Sequence, residues 1–389
     1  MNKTDKKIFS TLFLAIFISI TGVGIVVPLL PVYARSLGAS GFYIGMIFGA
    51  FSISRTLFLP WFGALSDRKG RKPWIVAGLF AYALISVGFV LAKDVNTLII
   101  IRFVHGIASA MIMPVTQAYV GDITPKGKEG FYMGMFNMSM FASLSLGPFL
   151  GGIINEKFSL NIAFFCMGGL AIIGFFLAVL WLPSTSMEKA VAKKREKIIW
   201  RVLLKDKKIV AVSCFRLVYT SCIGIIWCFL PIYADSVFGL SSSQIGFIIM
   251  SGVFISGIIQ LPMGYLADKM DKWILVIAGG LLVSCSMIFI QWANGYGELL
   301  VAVALFGIGG GIAMPSIMAV AVQRGEKNGA MGSVMALITM AHSLGMLVGS
   351  ALAGITMDFF SLQDAFPMGA GIMLAGVLLF GTLTFKQKG

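Results

Sequence analysis

The sequence predicts an all-α membrane protein with twelve transmembrane helices, arranged as two six-helix bundles related by a pseudo-two-fold axis. Three observations predict this fold class. Hydrophobic residues make up 58% of the 389 residues and charged residues only 12%, a composition that is wrong for a soluble globular protein. Twelve apolar runs are each long enough to cross a bilayer as a helix. Short patterns also recur about half a chain apart.

The predicted spans follow one another with short polar connections. They cover 8–33, 42–66, 73–92, 97–120, 131–154, 161–182, 209–233, 244–267, 273–292, 298–321, 331–355 and 365–385. The one long polar stretch, 183–208, is rich in Lys and Arg and separates a first bundle at 1–182 from a second at 209–389. This stretch serves either as a solvated linker or as a basic, amphipathic segment on the inner leaflet.

The charge distribution predicts the orientation in the membrane. Arg35, Lys93 and Lys157 fall on one side of the predicted spans, whereas all other Lys and Arg outside the spans fall on the opposite side. An excess of basic residues marks the cytoplasmic side, so both termini are expected in the cytoplasm of a multi-pass protein of the cell (inner or plasma) membrane. The net charge of +14 would suit nucleic-acid binding in a soluble protein, but no aromatic–basic module supports that here.

The two halves share short patterns in the same order. Leu30–Ala34 reads LPVYA and recurs as LPIYA at 230–234, and Met113-Pro114 recurs as Met314-Pro315. Because each half has six spans, both halves start on the cytoplasmic side, which makes this a parallel repeat. Such a repeat predicts a substrate site between the halves, near the middle of the membrane.

A densely charged hairpin connects the second and third spans. The segment from Gly63 to Lys72 reads GALSDRKGRK, and a weaker copy, GYLADKMDK, lies at 264–272. Charge this dense cannot sit in hydrocarbon, so we expect a tight turn at the membrane surface. The candidate gate residues are Gly63, Asp67, Arg68, Gly70, Arg71, Lys72, Asp122, Gly264 and Asp268.

With these patterns the whole chain resembles the major facilitator superfamily, and in particular its drug:proton antiporter branch. The hairpin matches the family pattern G-x-L-[AS]-D-[RK]-x-G-R-[KR], and Arg102–Gly106 resembles its R-x-x-x-G pattern. The sequence from Gly147 to Gly152, GPFLGG, resembles the G-P-x-x-G-G pattern of the branch, and Tyr119–Pro125 matches the branch as well.

The resemblance implies a role for the hairpin. Asp67 would lie against the cytoplasmic start of the eleventh span, near 329–332, where a carboxylate meets free N–H groups and the positive end of the helix dipole. That contact would join the halves only while the cytoplasmic side is closed. Arg71 can reach Asp122, which would fix the hairpin. The alternative is that the hairpin is only a topology signal.

The fifth span carries a face of small residues. Gly147, Gly151 and Gly152 leave room for close helix approach, and Pro148 removes a backbone donor. The resemblance implies that this face packs against the eighth span of the other half and seals the cavity. Close packing without a gating role is the alternative.

Polar residues within the spans are few. Placing a polar or charged side chain in the membrane interior costs free energy, so these residues are functional candidates. The candidates for substrate binding or coupling are Arg55, Arg102, His105, Arg216, Tyr219, Trp227 and His342. The first, fourth, seventh and tenth spans line the central cavity in the fold that the chain resembles. Buried hydrogen bonding is the alternative role for the arginines, and packing is the alternative for the histidines.

No Asp or Glu lies in the apolar interior of the predicted spans. Proton coupling must therefore use Asp67, Asp122, Asp235 or a histidine, or be absent. An interior with arginines and no acid favours neutral, amphipathic or anionic substrates. The cysteines and histidines show no metal-ligand spacing, and no nucleophile–base pair or Walker-type loop is present, so we expect no metal, cofactor or enzymatic activity.

These observations favour a secondary active transporter that exports small amphipathic compounds, drugs or metabolites, by alternating access, driven by proton antiport. Its partners would be the lipid bilayer, a small-molecule substrate and protons, and we expect a monomer. One alternative is a carrier for uptake or exchange of an organic anion. Another is a membrane sensor or scaffold of the same fold that transports nothing, which the intact hairpin disfavours.

Overall fold

The computed structural model describes residues 3–125, 129–183, 203, 205–327 and 331–385. The described residues are 91% helical and contain no strand. The helices are α1 (Lys3–Val26), α2 (Leu30–Ser36), α3 (Gly41–Lys69), α4 (Lys72–Leu91), α5 (Val95–Ile123), α6 (Glu129–Lys157), α7 (Leu160–Trp181), α8 (Lys207–Phe238), α9 (Ser242–Lys269), α10 (Lys272–Trp292), α11 (Tyr296–Lys327), α12 (Met331–Phe359) and α13 (Ala365–Phe385).

Within the described residues, twelve helical spans are long and apolar enough to cross a membrane, with α1 and α2 together forming the first of them. The predicted count of twelve is therefore confirmed. Most of the predicted linker, 183–208, lies outside the described residues. Side chains cap several of the helices. Asp94, for example, accepts a hydrogen bond from the backbone N–H of Thr97 at the start of α5. Hydrogen bonds from Thr97 hold the pKa of this carboxyl below its usual value.

The first span is broken into two helices, which the sequence reading did not predict. Residues 27–29 form a turn between α1 and α2. Pro28 has no N–H to donate and its ring crowds the preceding turn, while Pro31 suits the first turn of a new helix. The second half has no counterpart of Pro28, and α8 continues through Pro231 without a break.

The chain forms two compact units whose boundaries differ in two places from a simple division into halves. The first unit contains Met1–Gly38, Ala50–Lys193 and Ser241–Met250, and the second contains Ala39–Gly49, Lys194–Leu240 and Ser251–Gly389. The start of α3 therefore belongs to the second unit, and the start of α9 belongs to the first. The predicted division at 182 and 209 does not anticipate these two segments.

The same pattern of helix packing occurs in both units. In the first unit α1 packs against α6 and α7, and α4 packs against α5 and α7. In the second unit α8 packs against α12 and α13, and α10 packs against α11 and α13. Each pairing in one unit has its counterpart half a chain later, as expected for a duplicated bundle. The cores are apolar, with fully buried aromatic side chains such as Phe164 and Phe366.

Candidate functional site

The charged hairpin is a tight turn between α3 and α4. Gly70 has φ +86°, a left-handed conformation that glycine adopts without the steric cost of a side chain. The ammonium of Lys72 then donates hydrogen bonds to the carbonyls of Val179, at 2.7 Å, and Leu182, at 2.5 Å. These carbonyls lie at the end of α7, where helical carbonyls lack backbone partners. The lysine thus ties the start of α4 to the end of α7.

Arg71 is the centre of an ion-pair cluster in the hairpin. Its Nη1 lies 2.6 Å from Asp67 Oδ1 at the end of α3, and its Nε lies 3.0 Å from Asp122 Oδ2 at the end of α5. Nη1 also donates to the hydroxyl of Ser66 at 2.7 Å. The pairing of Arg71 with Asp122 is the one that the sequence indicates. The cluster links three helix ends of the first unit.

The other candidate gate residues lie on open surface or outside the described part. Arg68 is exposed, and a Cβ added at Gly63 or Gly264 would meet no atom within 4 Å. The side chain of Asp268 and residues 328–330 lie outside the described part of the chain. The expected contact of Asp67 with the start of the eleventh span therefore stays a prediction.

The glycine face of α6 packs against two different partners within the first unit. A Cβ at Gly147 would lie 2.6 Å from Gly24 Cα, and one at Gly151 would lie too close to the carbonyl of Ile25, so both glycines face α1. A Cβ at Gly152 would clash with the carbonyl of Ser242, at the start of α9. The expectation that this face packs on the eighth span is therefore only partly met, because Gly147 and Gly151 carry no side chain and let the backbone of α1 approach closely.

Sequence reasoning missed one further type of contact, in which a carboxylate near the end of one helix accepts hydrogen bonds from the backbone N–H groups at the start of another. In the first unit, Glu156 Oε2 accepts a hydrogen bond from the backbone N–H of Ser243 at 3.1 Å, at the start of α9. In the second unit, Asp358 accepts from the N–H groups of Gly41, at 2.6 Å, and Phe42, at 2.8 Å, at the start of α3. The two carboxylates occupy equivalent places in the repeat. Comparing acidic residues half a chain apart would have found them.

The polar residues of α5 are enclosed within the first unit. Arg102 is 3% exposed and His105 is fully buried. Arg102 Nη1 lies 3.3 Å from His105 Nδ1, and the guanidinium sits 4.4 Å from the centroid of the Phe51 ring. The rings of Phe51, Tyr82 and Phe89 surround the imidazole edge-on. His105 Nε2 has no hydrogen-bond partner among the described residues. This environment suits a packed histidine better than one that exchanges protons with water.

Arg55 lies half-buried in the middle of α3, and its Nε is buried without a hydrogen-bond partner in the described structure. No carboxylate among the described residues pairs with it. Its charge is therefore left without an anionic neighbour, which is costly for a guanidinium within a span.

Arg216 is half-buried on α8, in the second unit. Its Nη1 lies 2.7 Å from Met314 Sδ, and its Nη2 lies 3.2 Å from His342 Nδ1. A thioether is a weak acceptor, and a neutral imidazole brings no negative charge. Nε has no hydrogen-bond partner among the described residues. The guanidinium can therefore gain stronger, charge-assisted hydrogen bonds from an anion that reaches it.

Aromatic residues of the second unit lie near Arg216 in the sequence of α8. Tyr219 is 5% exposed and stacks on Phe306 with the ring centroids 5.8 Å apart. Trp227, two turns further along α8, is half-buried. The described residues contain no group of three or more His, Cys, Asp or Glu side chains that could hold a metal ion.

Comparisons with known proteins agree with this architecture. The chain is 28% identical over 374 residues to an uncharacterized MFS-type transporter of Methanocaldococcus jannaschii, covering 95% of this chain and 96% of the relative. It is 27% identical over 391 residues to the quinolone resistance protein NorA of Staphylococcus aureus, covering 96% of each. The crystal structure of a mutant of the nucleoside transporter NupG has a TM-score of 0.81 at 12% identity, covering 97% of this chain and 100% of that one. A sequence model of the Major Facilitator Superfamily matches residues 12–331 and 212–388. The chain is therefore a multi-pass membrane protein that belongs to the Major Facilitator Superfamily of transporters.

Proposed function

We propose that this protein exports small amphipathic compounds by alternating access, in exchange for protons. The observation that carries the proposal is the similarity to NorA along 96% of both chains, together with the GPFLGG face of α6. We further propose that the chain works as a monomer, with two six-helix bundles joined by the basic linker at 183–208 and with both termini in the cytoplasm.

We propose that the hairpin cluster closes the cytoplasmic side in the outward-facing state. The support is that Arg71 bridges Asp67 and Asp122 and so holds the end of α3 in a defined position. A carboxylate held there is preorganised to accept hydrogen bonds from the N-terminal N–H groups of another helix. The alternative remains that the hairpin only sets the topology.

Coupling to protons cannot use a carboxylate in the apolar interior of the spans, because the sequence places no Asp or Glu there. The candidates are Asp67, Asp122, Asp235 and the two histidines. Between the histidines, we propose His342 as the coupling candidate, because it is half-buried and bonded to Arg216, whereas His105 is enclosed by aromatic rings.

A second candidate function is a carrier for uptake or exchange of an organic anion. The specific observation in its favour is Arg216, whose described hydrogen-bond partners are a thioether and an imidazole rather than a carboxylate. Arg55 adds a second guanidinium without an anionic partner in the described structure. Together they would give the interior a positive potential that attracts anions.

Inverted membrane vesicles from cells that express the protein would distinguish these functions. The assay follows a cationic dye, a neutral dye and an aromatic carboxylate of similar size, with and without an imposed pH gradient. Export by proton exchange predicts accumulation of a dye inside inverted vesicles with an acidic interior, and loss of that accumulation when the gradient is collapsed.

Movement of the carboxylate alone, independent of the pH gradient, would instead support the anion carrier. Movement of none of the three compounds would count against both transport proposals and would favour a sensor or scaffold. Vesicles from cells that do not express the protein serve as the matched control, since they have the same membrane without this chain.

A further inference from the structure

A cavity of about 220 Å³ lies in the second unit, away from the residues proposed for transport. It forms where α8 and α10 begin and α11 ends, at the side that the charge distribution predicts to be cytoplasmic. Its walls are Lys208, Met270, Asp271, Lys272, Trp273, Val320, Gln323 and Arg324.

Three cations face this cavity. The ammonium groups of Lys208 and Lys272 make no hydrogen bond or ion pair with the described residues, although Lys208 Nζ lies 5.4 Å from the centroid of the Trp273 ring. Arg324 also lines the cavity, and its Nη1 lies 3.6 Å from Asp206 Oδ2. Lys72 of the first unit, by contrast, is bonded to two carbonyls.

The two carboxylates that the structure describes near the cavity are already used as helix caps. Asp271 accepts a hydrogen bond from the backbone N–H of Trp273 at 3.1 Å, at the start of α10. Asp206 accepts from the N–H of Lys208 at 3.0 Å, at the start of α8. Among the described side chains, three cations face two anions, and each anion is shared with a helix N-terminus. The described lining of the cavity therefore has a surplus of positive charge.

One wall of the cavity is apolar. Trp273 packs against Phe380 with ring centroids 5.3 Å apart, Val320 is buried, and Met270 is 44% exposed. Tryptophan is enriched at the level of lipid headgroups. The cavity is also smaller than the roughly 300–1,000 Å³ of pockets that enclose drug-sized ligands. Its chemistry therefore suits a small anionic group attached to an apolar chain.

We propose that this cavity binds the phosphate group of an anionic phospholipid, with Lys208, Lys272 and Arg324 as the cationic partners. Basic pockets between membrane helices on the cytoplasmic side bind anionic headgroups, because their positive charge lies at the level of the lipid headgroups. The lipid would hold together the ends of α8, α10 and α11. The proposal is independent of the identity of the transported compound.

Native mass spectrometry of the purified full chain tests the proposal. The protein in detergent is titrated with phosphatidylglycerol or with phosphatidylcholine of the same acyl chains. The wild type is expected to bind phosphatidylglycerol more tightly. The variant K208Q/K272Q, which keeps the Arg324–Asp206 pair, is expected to lose at least about tenfold in affinity for phosphatidylglycerol.

The control variant K93Q/K157Q removes two exposed lysines from the opposite side and is expected to change that affinity by less than about twofold. Equal binding of the two lipids by the wild type, or unchanged binding by K208Q/K272Q, would overturn the proposal. Binding of glycerol 3-phosphate without a preference for phosphatidylglycerol would assign the cavity to a soluble phosphate ester and overturn the lipid assignment. If the double variant does not fold, Lys272→Gln alone should still lose about fivefold.

Discussion

The contact between Asp358 and the start of α3 predicts a measurable local opening. Asp358 accepts hydrogen bonds from the N–H groups of Gly41, at 2.6 Å, and Phe42, at 2.8 Å. It therefore acts as an N-cap supplied by another helix. Asp358 is exposed, so the value of these bonds is reduced by solvent. Removing an N-cap costs about 1 kcal/mol, which is about a fivefold shift of an opening equilibrium.

Hydrogen–deuterium exchange of the amides at 41–45 measures this shift directly. In Asp358→Ala we expect these amides to exchange about fivefold faster than in the wild type. Asp364→Ala is the matched control, because Asp364 bonds to Ser361 within its own turn and makes no described contact with α3. Equal exchange at 41–45 in Asp358→Ala and the wild type would refute the reasoning.

Three further substitutions test other parts of the structure. Gly70→Ala should destabilise the hairpin by about 1–2 kcal/mol, because φ is +86° there, and a lower midpoint of thermal unfolding would show it. Gly151→Ala should cost about 1–3 kcal/mol in the same assay through a clash with Ile25, whereas Gly169→Ala, where the added Cβ meets no atom within 4 Å, should cost nothing. Arg216→Lys should weaken binding of an aromatic carboxylate by about tenfold, measured by titration calorimetry, because lysine lacks the guanidinium fork, and unchanged binding would argue against an anion site at that position.

The overall architecture could be predicted from the sequence, because each span is determined by its own run of apolar residues and the same patterns recur in both halves. Apolar length predicted each span, and the charged hairpin could not lie in hydrocarbon. The pairing of Arg71 with Asp122 followed from the motif. In contrast, the break after Val26 results from Pro28 and Pro31 together. Hydropathy alone does not predict this break, because it does not record that proline lacks a backbone N–H donor.

The environments of the polar side chains could not be predicted from helical spacing. The sequence made His105 a candidate for substrate binding or coupling, but the rings of Phe51, Tyr82 and Phe89, which come from α3 and α4, enclose it. The face of α6 likewise divides between α1 and α9, because Gly147 and Gly151 meet the backbone of α1 whereas Gly152 meets the backbone of Ser242. Such partners depend on tertiary packing, which periodicity alone does not specify.

The central claim is that the carboxylate at the end of α3 closes the cytoplasmic side during transport. Transport of the accumulated dye by the Asp67→Asn variant, compared with the wild type in the same inverted vesicles, tests it most directly. The Asp67 side chain is 46% exposed, so its pair with Arg71 contributes only about 0–1 kcal/mol, and the variant should keep a thermal unfolding midpoint close to that of the wild type. We predict that its transport rate falls at least about tenfold, and a folded Asp67→Asn variant that transports at the wild-type rate would contradict the claim.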